Sequence, residues 1–244
     1  MLPIGDDNTD RHRTPFVNYL LIITNILVFI FLQGLGQDVD FTFAYPTVPA
    51  EILTGGDIIT NRRIEQIPGT NLQMEVPGLQ PTPVHVYLTL FTSMFMHGGL
   101  AHLGGNMLYL WVFGDNLENV MGHLNYLLFY LICGVLAGLA HVFTSAYFNQ
   151  SLLIPSLGAS GAISGALGGY LLLFPMRRVY MWAFIFTFSV PAFLALGVWI
   201  IFQVVNGMGT LGGQETGGVA YAAHIGGFAA GFLLVRRFTH KDYV

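Results

Sequence analysis

The chain has 244 residues, of which 54% are hydrophobic and only 9% are charged. This composition lies outside the usual range of soluble domains and argues against a single water-soluble core. The net charge of −4 argues against a nucleic-acid partner, and the single cysteine, Cys133, excludes an intrachain disulfide. The sequence therefore indicates a polytopic membrane protein.

Six apolar stretches are each close to the ~20 residues that a helix needs to cross a bilayer. They lie at 16–33, 95–113, 124–147, 159–175, 179–205 and 218–236. We therefore predict an all-α membrane protein, a bundle of six transmembrane helices over residues 16–237. The tails 1–15 and 238–244 flank this bundle, and a long loop at 34–94 joins its first two helices. Pro191 predicts a kink in the fifth helix, whose aromatic run VYMWAFIFTFSVPAF is expected to face lipid.

The basic residues predict the orientation of the bundle. In a six-helix arrangement three groups of them fall on one side of the membrane: Arg11 and Arg13, Arg177 and Arg178, and Arg236, Arg237 and Lys241. By the positive-inside rule, both the N- and the C-terminus are then cytoplasmic. The second, fourth and sixth helices consequently begin at the outer face and run inward.

Polar side chains gather at the outer ends of these three helices. Ser160, in SLGASGAISGALGGY, lies in the first turn of the fourth helix, and His224, in AAHIGGFAAG, is about two turns into the sixth. His102 and Asn106 lie in the first turns of the second. At 1.5 Å per residue they all fall within roughly 5–18 Å of the outer face. Ionisable groups inside a membrane are costly and mark functional sites, so we predict a site at this depth.

Glycines predict that the fourth and sixth helices touch. Small residues recur every four positions on both helices: Gly161, Gly165 and Gly169 on the fourth, and Gly227 and Gly231 on the sixth. Such faces let membrane helices approach closely. Because His224 lies on the same face as Gly227 and Gly231, a hydrogen bond of about 2.6–3.2 Å from Ser160 to its imidazole is expected.

The remaining polar groups suit acyl-transfer chemistry. His102 and Asn106 are four residues apart and share a helix face, so both can donate to an oxyanion together with the Ser160 backbone N–H. His97 is about 180° from Asn106 on the same helical wheel and is expected to have a structural role. All acidic residues fall in predicted loops or tails, and Glu215, the nearest to His224, is disfavoured as its partner. We therefore predict a Ser–His dyad rather than a triad.

Simpler interpretations exist for each residue taken alone. Ser160 is suited to capping a helix, and His224, His102 and Asn106 to hydrogen bonds between helices. A metal site is disfavoured because His97 and His102 are about 140° apart and no carboxylate or thiol joins them. A transporter or channel is disfavoured because the predicted spans contain no acids and the chain shows no internal repeat. The other histidines are assigned to loops, tails or packing: His12, His85, His123, His141 and His240.

Three motifs resemble those of the rhomboid family of intramembrane serine proteases. They are HGGLAHLGGN, GASG and AHIGGFAAG, in this order, within about Phe91 to Arg237. The resemblance implies that Ser160, between Gly158 and Gly161, is the nucleophile and His224 the general base and acid. It assigns the oxyanion hole to His102 and Asn106. Glu118, in FGDNLENV, matches a structural acid in the loop after the second helix.

The resemblance also implies a function. Members of the family cleave other transmembrane proteins near the outer ends of their helices, with neither metal nor cofactor. The alternative is a catalytically silent relative that binds transmembrane clients. The compact form favours a prokaryotic plasma membrane over an organellar membrane, which stays the alternative, and nothing in the sequence indicates an oligomeric state. Two positions depart from many members: Leu88-Thr89 replaces Trp-Arg, and Ser164 replaces an aromatic residue that packs on the histidine.

Overall fold

The computed structural model describes residues 2–66, 73–211 and 219–240. Glu215 and Lys241, both named above, lie outside these ranges. The chain begins with a strand, β1 (Leu2–Asp6), within the segment that we predicted as a tail. The first long helix, α1 (Phe16–Leu27), continues as a π-helical turn over Val28–Leu32, so the first predicted span is helical throughout almost all its length.

The long connection between the first two spans is folded into short elements. It contains the helices α2 (Val39–Ala44), α3 (Pro49–Thr54) and α4 (Thr89–Thr92). A two-stranded antiparallel ribbon, β2 (Arg63–Gln66) and β3 (Gln73–Val76), lies between them. Three 3₁₀ turns complete it, at Gly34–Gly36, Val86–Leu88 and Ser93–Phe95.

The second span begins later and runs further than predicted. Helix α5 (Leu100–Met121) ends at Gly122, whose φ of 77° is favourable for glycine and turns the chain directly into α6 (His123–Tyr147). Asp115 and Glu118 are therefore helical, and our placement of Glu118 in a loop was wrong. The sequence suggested an earlier end because polar residues follow Phe113, but their side chains are buried among other elements.

The first half of the predicted fifth span is not helical. After α7 (Ser160–Leu173), the chain forms a hairpin of β4 (Arg178–Ala183) and β5 (Phe186–Pro191), and only then enters α8 (Ala192–Leu211). β4 is the central strand of an antiparallel sheet in the order β1-β4-β5. Aromatic and β-branched residues favour strands, and Pro191 lacks the N–H that a helix interior needs. Pro191 thus precedes a helix rather than kinking one, and the aromatic run lies in the hairpin.

The last helix, α9 (Tyr221–Phe238), packs closely against α7. A Cβ added at Gly227 would overlap the carbonyl oxygen of Gly161, and one at Gly231 would overlap that of Gly165. The two backbones are therefore in direct contact, which confirms the contact predicted from the small residues. Helix α7 is buried along most of its 14 residues, between α5, α6 and α9.

The surface of the bundle is apolar enough for a membrane. Among the described helices, α6 and α8 are long and apolar enough to cross a bilayer by themselves. Large apolar side chains are also exposed along α1, α6 and α8, as expected of surfaces that contact lipid. Each of the six predicted spans contains a helix, whereas six crossings and cytoplasmic termini remain predictions.

One end of the bundle collects the basic groups, and we call it the basic end. Here Arg11 pairs with Asp115 of α5, and Arg177 donates to Asn116 Oδ1 at 2.6 Å. The N–H of His240, after α9, donates to the carbonyl of Val120 at 3.1 Å. Both the N-terminal segment and the end of α9 therefore meet the end of α5, as the charge pattern predicted.

Candidate active site

Ser160 and His224 are hydrogen-bonded to each other. Ser160 is the first residue of α7, and His224 lies in the first turn of α9 rather than two turns into it. Ser160 Oγ lies 2.8 Å from His224 Nε2, which confirms the hydrogen bond predicted from the sequence. Residues 64 positions apart meet because the glycine contact brings the two helix backbones together.

A third residue, Gln203 of α8, completes this arrangement and was missed by the sequence analysis. Its Oε1 lies 2.9 Å from His224 Nδ1. Because an amide oxygen can only accept, Nδ1 carries the proton, and Nε2 is left to accept from the serine hydroxyl. The search for a third member considered only acids. The available signal was one amide within the apolar run WIIFQVV.

The imidazole of His224 is also packed between aromatic rings. The ring centroids of Trp199 and Tyr221 lie 6.1 Å and 6.4 Å from that of His224. Ser164, which replaces the aromatic residue of some family members, donates its hydroxyl to the Ser160 carbonyl at 2.6 Å instead. The replacement at Ser164 predicts that the His224 ring lacks an aromatic neighbour on α7, and aromatic neighbours on α8 and α9 contact it instead.

His102 and Asn106 direct N–H groups toward the space beside Ser160. His102 Nδ1 accepts from the Gly98 N–H at 3.3 Å, which leaves the proton on Nε2. A Cβ added at Gly158 would lie 2.7 Å from His102 Nε2 and 3.6 Å from Asn106 Nδ2. Asn106 Nδ2 is buried and has no hydrogen-bond partner within the described ranges. Both groups therefore converge next to Gly158, and its φ of +119° and lack of a side chain keep that space open.

His97 lies before α5, so the helical-wheel argument for its position was wrong. It is fully buried, and its ring centroid lies 5.2 Å from that of His102 in an edge-to-face contact. Its backbone N–H donates to Gln33 Oε1 at 2.9 Å, and its carbonyl accepts from Gln33 Nε2 at 2.9 Å. Gln33 therefore fixes the backbone of His97, whose ring packs against that of His102. A structural role for His97 stays our prediction.

A cavity of about 810 Å³ opens beside these groups. Its lining includes Ser160, His224, His102 and Asn106, and it extends to Arg63 and Val76 of the β2–β3 ribbon. Within the described ranges, no cluster of three or more His, Cys, Asp or Glu side chains is arranged to hold a metal ion. The cavity offers room for several residues of an extended peptide.

Two further sequence positions stabilise the surrounding scaffold. Glu118 is buried, and its carboxylate accepts from the N–H groups of Val17 at 2.9 Å and Asn18 at 2.7 Å, which satisfies the first turn of α1. Thr89, which replaces the family arginine, is buried, and its carbonyl accepts from Thr47 Oγ1 at 3.0 Å. Thr47 is thus tied to the start of α4 by a neutral hydrogen bond to the backbone, which does not depend on the Thr89 side chain.

Residues 85–241 match the sequence profile of the Rhomboid domain. The chain belongs to the rhomboid family. It is 33% identical over 156 residues to Rhomboid protein 1, mitochondrial, of Saccharomyces cerevisiae, covering 64% of this chain and 43% of the yeast protein. This rhomboid chain is also 34% identical over 144 residues to Rhomboid protease GluP of Bacillus subtilis, covering 59% of this chain and 24% of GluP.

A human relative is more distant. The rhomboid chain is 29% identical over 181 residues to the human Presenilin-associated rhomboid-like protein, mitochondrial, covering 66% of this chain and 43% of the human protein. The chain thus spans less than half the length of the curated relatives that it matches.

Proposed function

We propose that this rhomboid is an intramembrane serine endopeptidase that cleaves transmembrane proteins near the ends of their helices. The observation that carries the proposal is the Ser160–His224 hydrogen bond of 2.8 Å, with Gln203 on the far side of the imidazole. One relative is named as a rhomboid protease, which supports the same activity. Ser160 and His224 form the reacting pair, and Gln203 positions the imidazole.

The proposed reaction is acyl transfer to serine. His224 Nε2 takes the proton as Ser160 Oγ attacks the peptide carbonyl, and then protonates the leaving amine. The oxyanion accepts hydrogen bonds from His102 Nε2, Asn106 Nδ2 and the Ser160 N–H. Water then releases the acyl group by the reverse sequence. These steps use water and groups of the protein itself, and they call for neither metal nor cofactor.

The substrate class follows from the position of the site. The cavity lies within a bundle whose outer surface is apolar, so a membrane-embedded helix can approach it from the lipid. A helical carbonyl is hydrogen-bonded and must be freed before a serine can attack it. We therefore expect cleavage at sites where the substrate helix is weakened by residues of low helix propensity.

The test uses a fluorophosphonate probe, which covalently marks activated serines, on purified wild type, Ser160→Ala and His224→Ala. Labelling of the wild type alone is expected. Equal labelling of Ser160→Ala would show that another serine reacts. Folding of each variant is checked by circular dichroism, so that loss of label reports chemistry.

The competing function is a silent relative that only binds transmembrane clients. It predicts no cleavage by the wild type and client binding that survives Ser160→Ala. A membrane-anchored substrate library reconstituted with the wild type and with Ser160→Ala separates the two functions. Our expectation of a prokaryotic plasma membrane gains no support from the relatives, since those of yeast and human are named mitochondrial.

A further inference from the structure

The sheet at the basic end has one face that is buried at its base and exposed at its tip. Residues paired across antiparallel strands share a face, so Val179 lies on the same face as Met181, Phe188 and Phe186. The exposed fraction along this face rises from 0% at Val179 to 39% at Phe188 and 69% at Phe186. The base is held by β1, where Asp6 contacts Tyr170 of α7. This face therefore looks toward the bundle at its base and continues beyond the bundle at its tip.

The opposite face of the hairpin is more polar. Tyr180 pairs with Ser189 and Trp182 pairs with Thr187, so these four residues share that face. Arg178 lies there as well and donates to Ser189 Oγ at 3.0 Å. Tyrosine, tryptophan and arginine are the residues that proteins place at the boundary between lipid and water. The hairpin is thus amphipathic, with its apolar face on the side of the membrane helices.

The tip itself is apolar and fully exposed on the protein. Phe184 and Ile185 form the two-residue connection, with 91% and 85% of their surface exposed. Phe184 also has a φ of 54°, a conformation that two-residue hairpin loops normally assign to glycine or asparagine. Neither the turn geometry nor contacts within the protein account for phenylalanine and isoleucine here. A partner outside the chain that favours apolar side chains would account for both residues.

The exposed apolar surface of the hairpin is continuous with that of a membrane helix. β5 ends at Pro191, and α8 starts at the next residue with Phe193 and Leu194 exposed in its first turn. α8 is long and apolar enough to cross a bilayer. The hairpin therefore leaves the bundle directly beside the first turn of α8, and both carry exposed apolar side chains.

We propose that the β4–β5 hairpin is a membrane anchor, whose tip residues Phe184, Ile185 and Phe186 insert into the lipid leaflet at the basic end. Tyr180 and Trp182 then lie among the headgroups. The occupant of this surface is the bilayer itself, because the exposed apolar side chains of the tip are followed in the chain by those of α8, a helix long and apolar enough to cross a bilayer. The anchor fixes the level at which α8 begins.

The test is spin labelling of the full chain in phosphatidylcholine–phosphatidylglycerol nanodiscs that hold one copy each. Cys133, the single cysteine, is replaced by alanine, and a nitroxide is attached at Ile185→Cys. Val198→Cys, on the exposed side of α8, is the lipid reference. Thr9→Cys, exposed in the loop after β1, is the water reference. Thr187→Cys, exposed on the opposite face of the hairpin, is the matched control.

Collisions with oxygen, which partitions into lipid, are compared with those of a nickel chelate, which stays in water. For each labelled position, the logarithm of the ratio of the collision rate with oxygen to that with the nickel chelate is calculated. It is expected to be positive at 185 and 198, negative at 9, and lower at 187 than at 185. Nickel access at 185 equal to that at 9 would place the tip in water and overturn the proposal. Protection from both reagents would place the tip against protein and overturn it as well. No step needs proteolysis, so the outcome is independent of the proposed function.

Discussion

At the scale of single residues, the orientation of one imidazole decides whether the serine can react. His224 accepts from Ser160 only while its other nitrogen carries the proton, and Gln203 Oε1 at 2.9 Å holds that proton in place. A neutral amide performs here the orienting task that an acid performs in a Ser–His–Asp triad. An uncharged partner suits a site among apolar helices, because a carboxylate there would be costly to desolvate.

We expect Gln203→Leu to lower kcat about 10–100-fold with little change in KM, because removing an orienting partner typically costs that much. Gln203→Glu retains an acceptor for Nδ1 and is expected to keep more activity. Because a carboxylate favours the imidazolium, the acidic limb of its pH–rate profile should move to higher pH. The measurement is the pH dependence of kcat and KM on a reconstituted substrate.

The matched control is Asn206→Ala, three residues further along α8, where the amide donates to the Phe202 carbonyl within the same helix. It should leave both constants unchanged. Equal activity of Gln203→Leu and the wild type would show that Gln203 does not position His224.

At the scale of secondary-structure elements, the contact between α7 and α9 sets the distance between Ser160 and His224. The carbonyls of Gly161 and Gly165 occupy the positions where Cβ atoms on Gly227 and Gly231 would lie. Between helices in a bilayer the hydrophobic effect contributes little, because lipid is as apolar as the side chains. Close backbone packing therefore supplies much of the free energy of helix association. The same glycines that pack the helices therefore assemble the site.

Gly231→Ala is expected to destabilise the protein by about 1–3 kcal/mol, the usual cost of overpacking. Its Cβ would meet backbone rather than a movable side chain. Unfolding can be followed with a fluorogenic maleimide, because Cys133 is fully buried and reacts once the bundle opens. Gly197→Ala on α8, where nothing lies within 4 Å of the new Cβ, should leave the melting temperature unchanged or slightly raised. The same melting temperature for both variants would contradict this account of the contact.

At the scale of the whole molecule, buried polar contacts tie the N-terminal strand to α5 and α7, and α6 to α1. Asp6 Oδ2 accepts from Tyr170 of α7 and from Asn116 Nδ2 of α5 at 2.7 Å, and Tyr126 of α6 donates to Asn18 of α1 at 2.8 Å. Burial, together with the nearby charge of Asp115, raises the pKa of Asp6 from 3.8 to about 7. At pH values between these two, the folded protein therefore holds a proton on Asp6 that the unfolded chain has lost.

This proton makes stability depend on pH. Because the pKa of Asp6 is higher in the folded state, protonated Asp6 adds to the free energy of unfolding. This contribution is fully present below about pH 4 and is lost as the pH rises toward 7. Asp6→Asn removes the titration. The melting temperature of the wild type relative to Asp6→Asn, followed by circular dichroism, should fall between pH 5 and pH 7.5. If the difference in melting temperature between the wild type and Asp6→Asn stays constant across this pH interval, Asp6 does not titrate in the folded protein.

The sequence by itself determined the class of the protein and most of the groups that meet in the candidate site. A membrane bundle can be predicted from the apolar content of the chain, which is a matter of composition alone. The α7–α9 contact can be predicted from the glycine spacing, because helical periodicity alone places these glycines on one face. Ser160, His224, His102 and Asn106 could be selected because polar groups are conspicuous inside apolar stretches. These inferences need no knowledge of how the distant parts of the chain pack.

Only the tertiary structure decided the partner of His224, the end of α5 and the hairpin before α8. Gln203 is one of several amides, and only the packing of α8 beside α9 brings it to Nδ1. The polar residues after Phe113 suggest a loop when only the sequence is considered. In the structure they are buried against α1 and β1, where Glu118 accepts from the Asn18 N–H and Asn116 donates to Asp6. Short apolar runs such as 179–191 suit helix and strand alike, and pairing with β1 selects the strand. The physical reason is common to all three: hydrogen-bond partners are supplied by elements far away in the sequence.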